Sequence, residues 1–210
     1  FQLERVNLNN REAPLKINYK NVKEVHFKVF KMTIDPMKNS ENPKKISEYA
    51  NEKPFLAFSQ KLRDFEDYEQ HSMTTVLPKL GFGRYLLIAS ETSELTPEST
   101  FFFQDFYVSD MTFSSVDGKN NTRFAVHHAE SGNPLSNVNI RIYSQEYDYS
   151  SRSNKLRYKT AIKTDKNGEQ DYGNKNYGNN VLLLVDGKDS LVINGIYLRS
   201  HSESKPKVQE

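Results

Sequence analysis

"VNIRIY" (Val138–Tyr143) decides how the chain is read. Val138, Ile140 and Ile142 fall on one side of an extended segment, and Asn139 and Arg141 fall on the other. A period of two marks a half-buried strand, because successive side chains of a strand point to opposite faces. The pattern recurs in "RFAVHH" through Phe124, Val126 and His128. "VHFKVFKM" starts with Val25, Phe27 and Val29, then changes phase to Phe30 and Met32, which predicts a bulge near Val29. "YLLIA" (Tyr85–Ala89) and "VLLLV" (Val181–Val185) are apolar on both faces. They predict central strands whose outer faces are also covered.

Turn residues separate these runs. "SVDGKNN", "ESGNPLSN", "DKNG" and "VDGKDS" are clusters of Gly, Asn and Asp between apolar stretches. Short strands joined in this way predict an all-β fold of antiparallel β-sandwich type. Helical periodicity is weak. "NPKKISEYA" (Asn42–Ala50) predicts one or two helical turns, with Asn42 as cap and Pro43 at the first helical position. The stretch Ile34–Pro54 holds three prolines and is the longest expected irregular excursion.

The chain has 210 residues, enough for two sandwiches of about 100 residues each. The first is expected over residues 1–106, ending in the aromatic run "STFFFQDFYVSD". The second is expected over 107–200, and 201–210 reads as a polar linker or tail. One strand is expected to leave the first domain at Phe103 and enter the second near Val108. A start at Phe1 without Met reads as a mature piece or an excised segment.

Composition excludes several classes. The net charge is +2 and no run of five like charges occurs, so there is no nucleic-acid footprint. The absence of cysteine removes disulfides, thiolate zinc sites and cysteine nucleophiles together. The longest apolar run, Val181–Val185, is too short to span a bilayer.

"KTDKNGEQDYG" (Lys163–Gly173) places Asp165, Asn167, Glu169 and Asp171 at alternate positions around Gly168. An EF-hand-type calcium loop needs its glycine sixth from the first aspartate, and here it is fourth. A tight turn at Asn167-Gly168 needs only residues that tolerate positive φ, so a turn between two strands is expected. His127 and His128 are adjacent and point to opposite faces of a strand, so they do not share an ion. His128 reads as a satisfied, half-buried histidine. His71 reads as the opening of a strand after a turn. The acidic group Asp64, Glu66, Asp67 and Glu69 is contiguous and reads as a solvated turn; glycosidic chemistry would need two carboxylates facing each other across a cleft. No catalytic, metal or cofactor-binding residue is expected. The one candidate binding surface is aromatic. Tyr143, Tyr147, Tyr149 and Tyr158 flank the polar stretch Ser144–Tyr158, and clustered tyrosines suit protein or sugar contacts.

Taken in order, the pieces resemble a known family. "LKINYKNVKEVHFKVFKM", "DYEQHSMTTVLPKLGFGRYLLIAS" and "FFFQDFYVSDMTFSS" look like one macroglobulin-type domain and its exit. "HHAESGNPLSNVNIRIY", "KTDKNGE" and "NNVLLLVDGKDSLVI" look like the next. The order is similar to the N-terminal half of bacterial alpha-2-macroglobulin family proteins, with MG2/MG3-like domains, over Ala13 to Ser200. Its G-x-P-L-x-x-V and T-D-x-x-G steps also occur in other bacterial β-sandwich repeats. The resemblance implies two non-catalytic scaffold domains of a larger protease-trapping protein, exported to the periplasm or cell envelope. Its partners would be neighbouring domains and, through the full-length protein, target proteases. Any lipid anchor would lie in a part not present here. The thioester that many members carry needs a cysteine, which this sequence lacks. The alternative is an adhesin or a carbohydrate- or protein-binding sandwich using the tyrosine-rich hairpin at 143–158.

Overall fold

The computed structural model describes residues 1–37, 48–49, 52–96, 100–118, 121–173 and 178–198. The expected helical turns at Asn42–Ala50 lie outside them except for Glu48 and Tyr49, and the polar tail 201–210 lies outside them altogether. The described strands are β1 (Val6–Asn7), β2 (Ala13–Tyr19), β3 (Glu24–Met32), β4 (Leu56–Lys61), β5 (His71–Leu77), β6 (Gly83–Ser90) and β7 (Phe101–Val108). They continue with β8 (Met111–Asp117), β9 (Asn121–His128), β10 (Asn139–Asp148), β11 (Ser153–Lys163), β12 (Glu169–Gly173), β13 (Gly178–Asp186) and β14 (Asp189–Leu198). The fold is all-β and builds two β-sandwich units. Unit 1 takes Phe1–Asp110 with Lys188–Leu191; unit 2 takes Met111–Gly187 and the chain from Val192. The aromatic run of residues 101–108 is one strand, and a new strand starts at Met111 after Ser109 and Asp110.

Unit 1 combines a five-stranded sheet, ordered β1-β7-β6-β3-β4, with the β2-β5 pair. Val6 and Asn7 run parallel to Tyr107 and Val108. The other registered pairs of this unit are antiparallel. The core between the sheets holds Leu15, Phe27, Val29, Leu87 and Phe106, all fully buried. Phe27 stacks on Phe58 at 4.9 Å and Tyr85 on Phe106 at 5.5 Å.

The phase change in β3 has a different cause from the expected bulge. The β3–β6 register runs unbroken from His26↔Ser90 to Met32↔Arg84. Phe30 instead faces the outer side of the sheet, where Leu86 and Ile88 join it. Tyr49, from the long excursion, closes this second cluster and is only 3% exposed. Its ring lies 5.0 Å from that of Phe30, and its hydroxyl reaches Met32 Sδ at 3.3 Å. Strand β6 is therefore apolar on both faces because both faces are covered.

Unit 2 combines a four-stranded sheet, ordered β11-β10-β13-β14, with a three-stranded sheet, ordered β12-β9-β8. Ile140, Ile142, Leu182, Leu184, Phe124 and Val126 are fully buried. The bulge falls here: Ile142 pairs with Thr160, but Tyr143 pairs with Tyr158, leaving Lys159 as the extra residue.

The two short sequence steps of unit 2 meet at one side chain, Thr164. Its hydroxyl donates to the Leu135 carbonyl at 2.7 Å and accepts the Val138 N–H at 3.0 Å. Its backbone bonds Val138 and Asn137, so the T-D-x-x-G step is fastened along the G-x-P-L-x-x-V step. The turn that follows is built on Asp165, whose Oδ1 accepts from the N–H groups of Asn167 and Glu169 at 2.8 and 2.9 Å. Gly168 has φ +74, and a Cβ there would lie 2.5 Å from the Val126 carbonyl oxygen. The stretch is thus a turn, as expected, but not a hairpin. Strand β12 pairs with β9 in the other sheet, so the turn carries the chain from one sheet to the other. Close approach of Gly168 to β9, whose Val126 N–H bonds the Gly168 carbonyl at 2.9 Å, sets that course.

Candidate functional site

The tyrosine-rich stretch forms the far end of the β10–β11 hairpin. Pairing of Glu146 with Lys155 and of Tyr147 with Asn154 sorts the side chains onto two faces. One face carries charge. Glu146 contacts Arg157 Nε and Lys159 Nζ, each at 3.0 Å, and Asp148 is bonded to Lys155. The hydrogen bond from Lys155, then those from Ser150, hold the Asp148 carboxyl well below the usual carboxylate range. Lys159, then Ser144, lower that of Glu146.

The other face carries the four tyrosines, and the structure divides them. Tyr143 is 6% exposed and packs edge-on against Tyr158, with ring centroids 5.7 Å apart. It belongs to the body of the sandwich. Tyr147 and Tyr149 meet edge-on at 5.1 Å near the hairpin end, and Tyr149 is 86% exposed. Tyr147, Tyr149 and Tyr158 therefore make the accessible surface. Phenol rings offer apolar area together with a hydroxyl, which suits peptide or sugar contacts.

The acidic stretch of unit 1 forms the loop before β5, and its carboxylates are used locally. Asp64 Oδ1 accepts from the Glu66 N–H at 3.1 Å, and Asp67 Oδ1 from the Glu69 N–H at 3.0 Å. Asp64 also pairs with Lys23 at 3.3 Å. His71 opens β5, with Nε2 2.8 Å from Asp67 Oδ1. The histidine hydrogen bond is the main cause of the lowered Asp67 pKa. Phe65 stacks on His71 at 4.0 Å, and the Arg63 guanidinium lies 4.7 Å from the Phe65 centroid. Glu66 and Tyr68 both take positive φ, which fits a tight loop rather than a cleft wall. In unit 2, His128 Nδ1 accepts the Glu130 and Ser131 N–H groups at 3.3 and 3.4 Å, closing the loop after β9. His127 forms a backbone bridge to Pro134. Among the described residues no three His, Asp or Glu side chains are gathered as metal ligands. Nor, among them, is any helix long and apolar enough to cross a membrane.

Two features of unit 1 were not visible in the sequence. Asp189 is 6% exposed, and its Oδ2 accepts the Asp110 N–H at 2.9 Å. Its Oδ1 has no partner among the described residues, and burial pushes its pKa up. Within "VDGKDS" it reads as an ordinary turn aspartate, and no local pattern reports its burial. The second is a cavity of about 370 Å³ whose lining includes Phe1, Ile17, Tyr19, Val22, Ala89 and Phe102. These residues are spread over the chain and meet only through the sandwich.

The fold and these surfaces define a pair of β-sandwich modules. Solved structures of similar architecture include two from a bacterium. The crystal structure of native alpha-2-macroglobulin from Escherichia coli spanning domains NIE-MG1 superposes with a TM-score of 0.59 and 14% identity, covering 90% of this chain and 93% of that chain. The crystal structure from the same organism spanning MG0-NIE-MG1 gives a TM-score of 0.60 at 14% identity, and this chain spans 62% of its length. No protein-family model matches the sequence, and no curated protein sequence matches it. The likeness is one of fold.

Proposed function

We propose that the chain supplies two non-catalytic structural domains of a larger alpha-2-macroglobulin-like protein that traps or inhibits proteases in the bacterial cell envelope. The observation that carries this reading is the match of both sandwiches together, over 90% of this chain, to consecutive domains of one such protein. A chance likeness between single sandwiches is common, because the architecture hosts many functions. A likeness that holds across two successive modules is more restrictive. The sequence resemblance points to MG2/MG3-like modules, whereas the structural neighbours carry the labels NIE and MG1. The support is therefore for the module type, and the MG2/MG3 numbering is the finer part of the proposal. Export, an anchor outside these residues, and contacts with neighbouring domains and target proteases belong to the same reading.

Two measurements test it. Antibodies raised against this chain are used to probe fractionated cells. A polypeptide much longer than 210 residues in the envelope fraction supports the reading, and a cytoplasmic protein of this size sinks it. The full-length protein is then incubated with trypsin. Loss of cleavage of a large protein substrate, with cleavage of a small chromogenic peptide retained, is the expected mark of a trapped protease. Unchanged cleavage of both removes the trapping function.

A second reading has one observation in its favour: the exposed edge-on pair Tyr147–Tyr149. It makes the chain an adhesin or a carbohydrate- or protein-binding module. Retention on a glycan or extracellular-matrix array that is lost in a Tyr147→Ala, Tyr149→Ala double variant would support it.

A further inference from the structure

We propose that the outer edge of β11, over residues 153–158, is a docking site for an extended peptide in which acidic residues alternate with apolar ones. Strand β11 ends its sheet and, among the described residues, pairs with β10 alone. Which of its backbone groups face outward follows from Thr164. The Thr164 N–H donates to the Val138 carbonyl at 3.1 Å, and its carbonyl accepts the Asn137 N–H at 2.9 Å. The backbone groups of Val138 thus face β11. In an antiparallel strand the facing residues alternate along the chain. On β10 the next are Ile140, Ile142, Ser144 and Glu146, and the last two pair with Arg157 and Lys155 beyond the bulge. Asn154, Leu156 and Tyr158 therefore turn their N–H and C=O groups away from β10, toward the outer edge. The bulge at Lys159 bounds this stretch on one side, and the hairpin end bounds it on the other.

Charge selects the occupant. Residues 139–163 hold six basic side chains against two acidic ones, whereas the whole chain holds 29 against 27. Glu146 and Asp148 answer only part of this excess, since between them they meet Lys155, Arg157 and Lys159. A second copy is a poor occupant. Two β11 edges paired with each other set basic side chains against basic ones, and like charges directly opposed destabilise a pair. Lysine on an edge strand is a common guard against such self-pairing. The same side chains favour a strand that brings carboxylates opposite Lys155 and Arg157. Occupant side chains opposite Asn154, Leu156 and Tyr158 fall on the other face of the hairpin. There half-buried Leu156 and the 52% exposed Tyr158 offer apolar area. Main-chain bonds to residues 154, 156 and 158 supply affinity, and the two faces supply sequence preference. The inference deepens the protein-binding reading of this hairpin and rests on it, but it uses the strand edge in place of the Tyr147–Tyr149 pair.

The test is fluorescence anisotropy with labelled acetyl-Val-Glu-Val-Glu-Val-amide titrated with the purified chain. Saturable binding is expected. It should weaken about tenfold or more when the valines, whose N–H groups meet the edge, are N-methylated. It should change about twofold or less when the glutamates, whose N–H groups face away, are N-methylated instead. Leu156→Pro removes an outward N–H and should match the first loss. Asn154→Pro, at an exposed position, serves where Leu156→Pro lowers folding, as read by circular dichroism. In the Lys155→Glu, Arg157→Glu double variant a peptide with lysine in place of glutamate should become the tighter binder. Tyr147→Ala with Tyr149→Ala should leave peptide binding in place, so that array retention and peptide binding report on the two readings separately. Absence of saturation at millimolar protein overturns the proposal, as does equal loss on methylating valines and glutamates. Binding indifferent to both methylations, and displaced by dextran sulfate, overturns it in favour of a basic patch for any polyanion. Gel filtration showing a dimer that excess peptide leaves intact also overturns it, because the edge is then filled by a second copy.

Discussion

The outer face of β6 and the far end of the β10–β11 hairpin meet the same problem in opposite ways. Both present large side chains away from the sandwich core. At β6, Leu86 and Ile88 are buried because the excursion after β3 brings Tyr49 down onto Phe30. At the hairpin nothing described covers Tyr147 and Tyr149, and the strands are tied instead by Glu146 and Asp148 to Arg157, Lys159 and Lys155. The first device removes apolar area from water at roughly 25 cal/mol per Å². The second gains exposed ion pairs, whose median worth is small and falls with salt. The covered face should therefore carry stability, and the open hairpin should be free to carry contacts.

Breaking the covered face gives the largest expected effect. Tyr49→Ala removes the ring from a site 3% exposed, and a loss of about 3 kcal/mol is expected from transfer and cavity terms together. Chemical denaturation of the variant measures it. Limited proteolysis should at the same time show faster cutting next to residue 49, whose ring packs on Phe30, Leu86 and Ile88. A loss below about 1 kcal/mol would mean that the cluster at Phe30 and Ile88 is held by other means.

The contrast is sharpened at the other end of β11. There the chain is locked by contact, not by charge. Gly168→Ala combines a positive φ with a Cβ 2.5 Å from the Val126 carbonyl oxygen, so backbone must shift. A destabilisation of about 2 kcal/mol is expected, measured by thermal unfolding. Thr164→Val keeps the shape but strands the Val138 N–H and the Leu135 carbonyl, at a cost of about 1–3 kcal/mol.

How much of this was legible follows from which interactions are local. Period-two alternation in Val138–Tyr143 and turn residues around Gly168 are local, and the all-β sandwich was read from them. The doubly apolar "YLLIA" correctly announced a covered outer face, but not that Tyr49 covers it, because that contact joins residues far apart in sequence. The same covering explains the misread bulge. A phase change looks alike whether the strand bulges or its second face is buried, and only Tyr49 distinguishes the two. The true bulge at Ile142/Tyr143 left no mark, since Tyr143 is apolar enough for either side. Among the tyrosines, composition announced a cluster, but burial of Tyr143 depends on Tyr158 across the bulged pair. Of Asp189 nothing was legible, since burial of a turn aspartate depends on distant chain. The fold of "KTDKNGEQDYG" was half legible: the turn follows from its residues, but its course to β9 follows from Val126.

Carboxylates test the same contrast with opposite signs of pH dependence. Asp189 is buried, and its pKa in the folded state is raised above the unfolded value. The folded state then holds more protons than the unfolded one between those two values. Its contribution is most favourable below the unfolded pKa and declines as pH rises through the folded one. Asp189→Asn keeps an acceptor for the Asp110 N–H and removes the buried charge. The variant should be more stable than the parent by about 1 kcal/mol at pH 7, with the gap closing toward pH 3. A variant destabilised at pH 7 but not at pH 3 would show that the charge itself is needed. Glu146 behaves in reverse: its lowered pKa gives stability that is present above the unfolded value and lost as pH falls through the folded one. Glu146→Gln breaks contacts to both Arg157 and Lys159, yet these groups face water. The expected change in Tm is the smallest of the set, present at low salt and pH 7, and absent at high salt or at acid pH. A change as large as that from Tyr49→Ala would mean that the hairpin is held by its charge ladder, and the division between a covered, stabilising face and an open, contact-making one would fall.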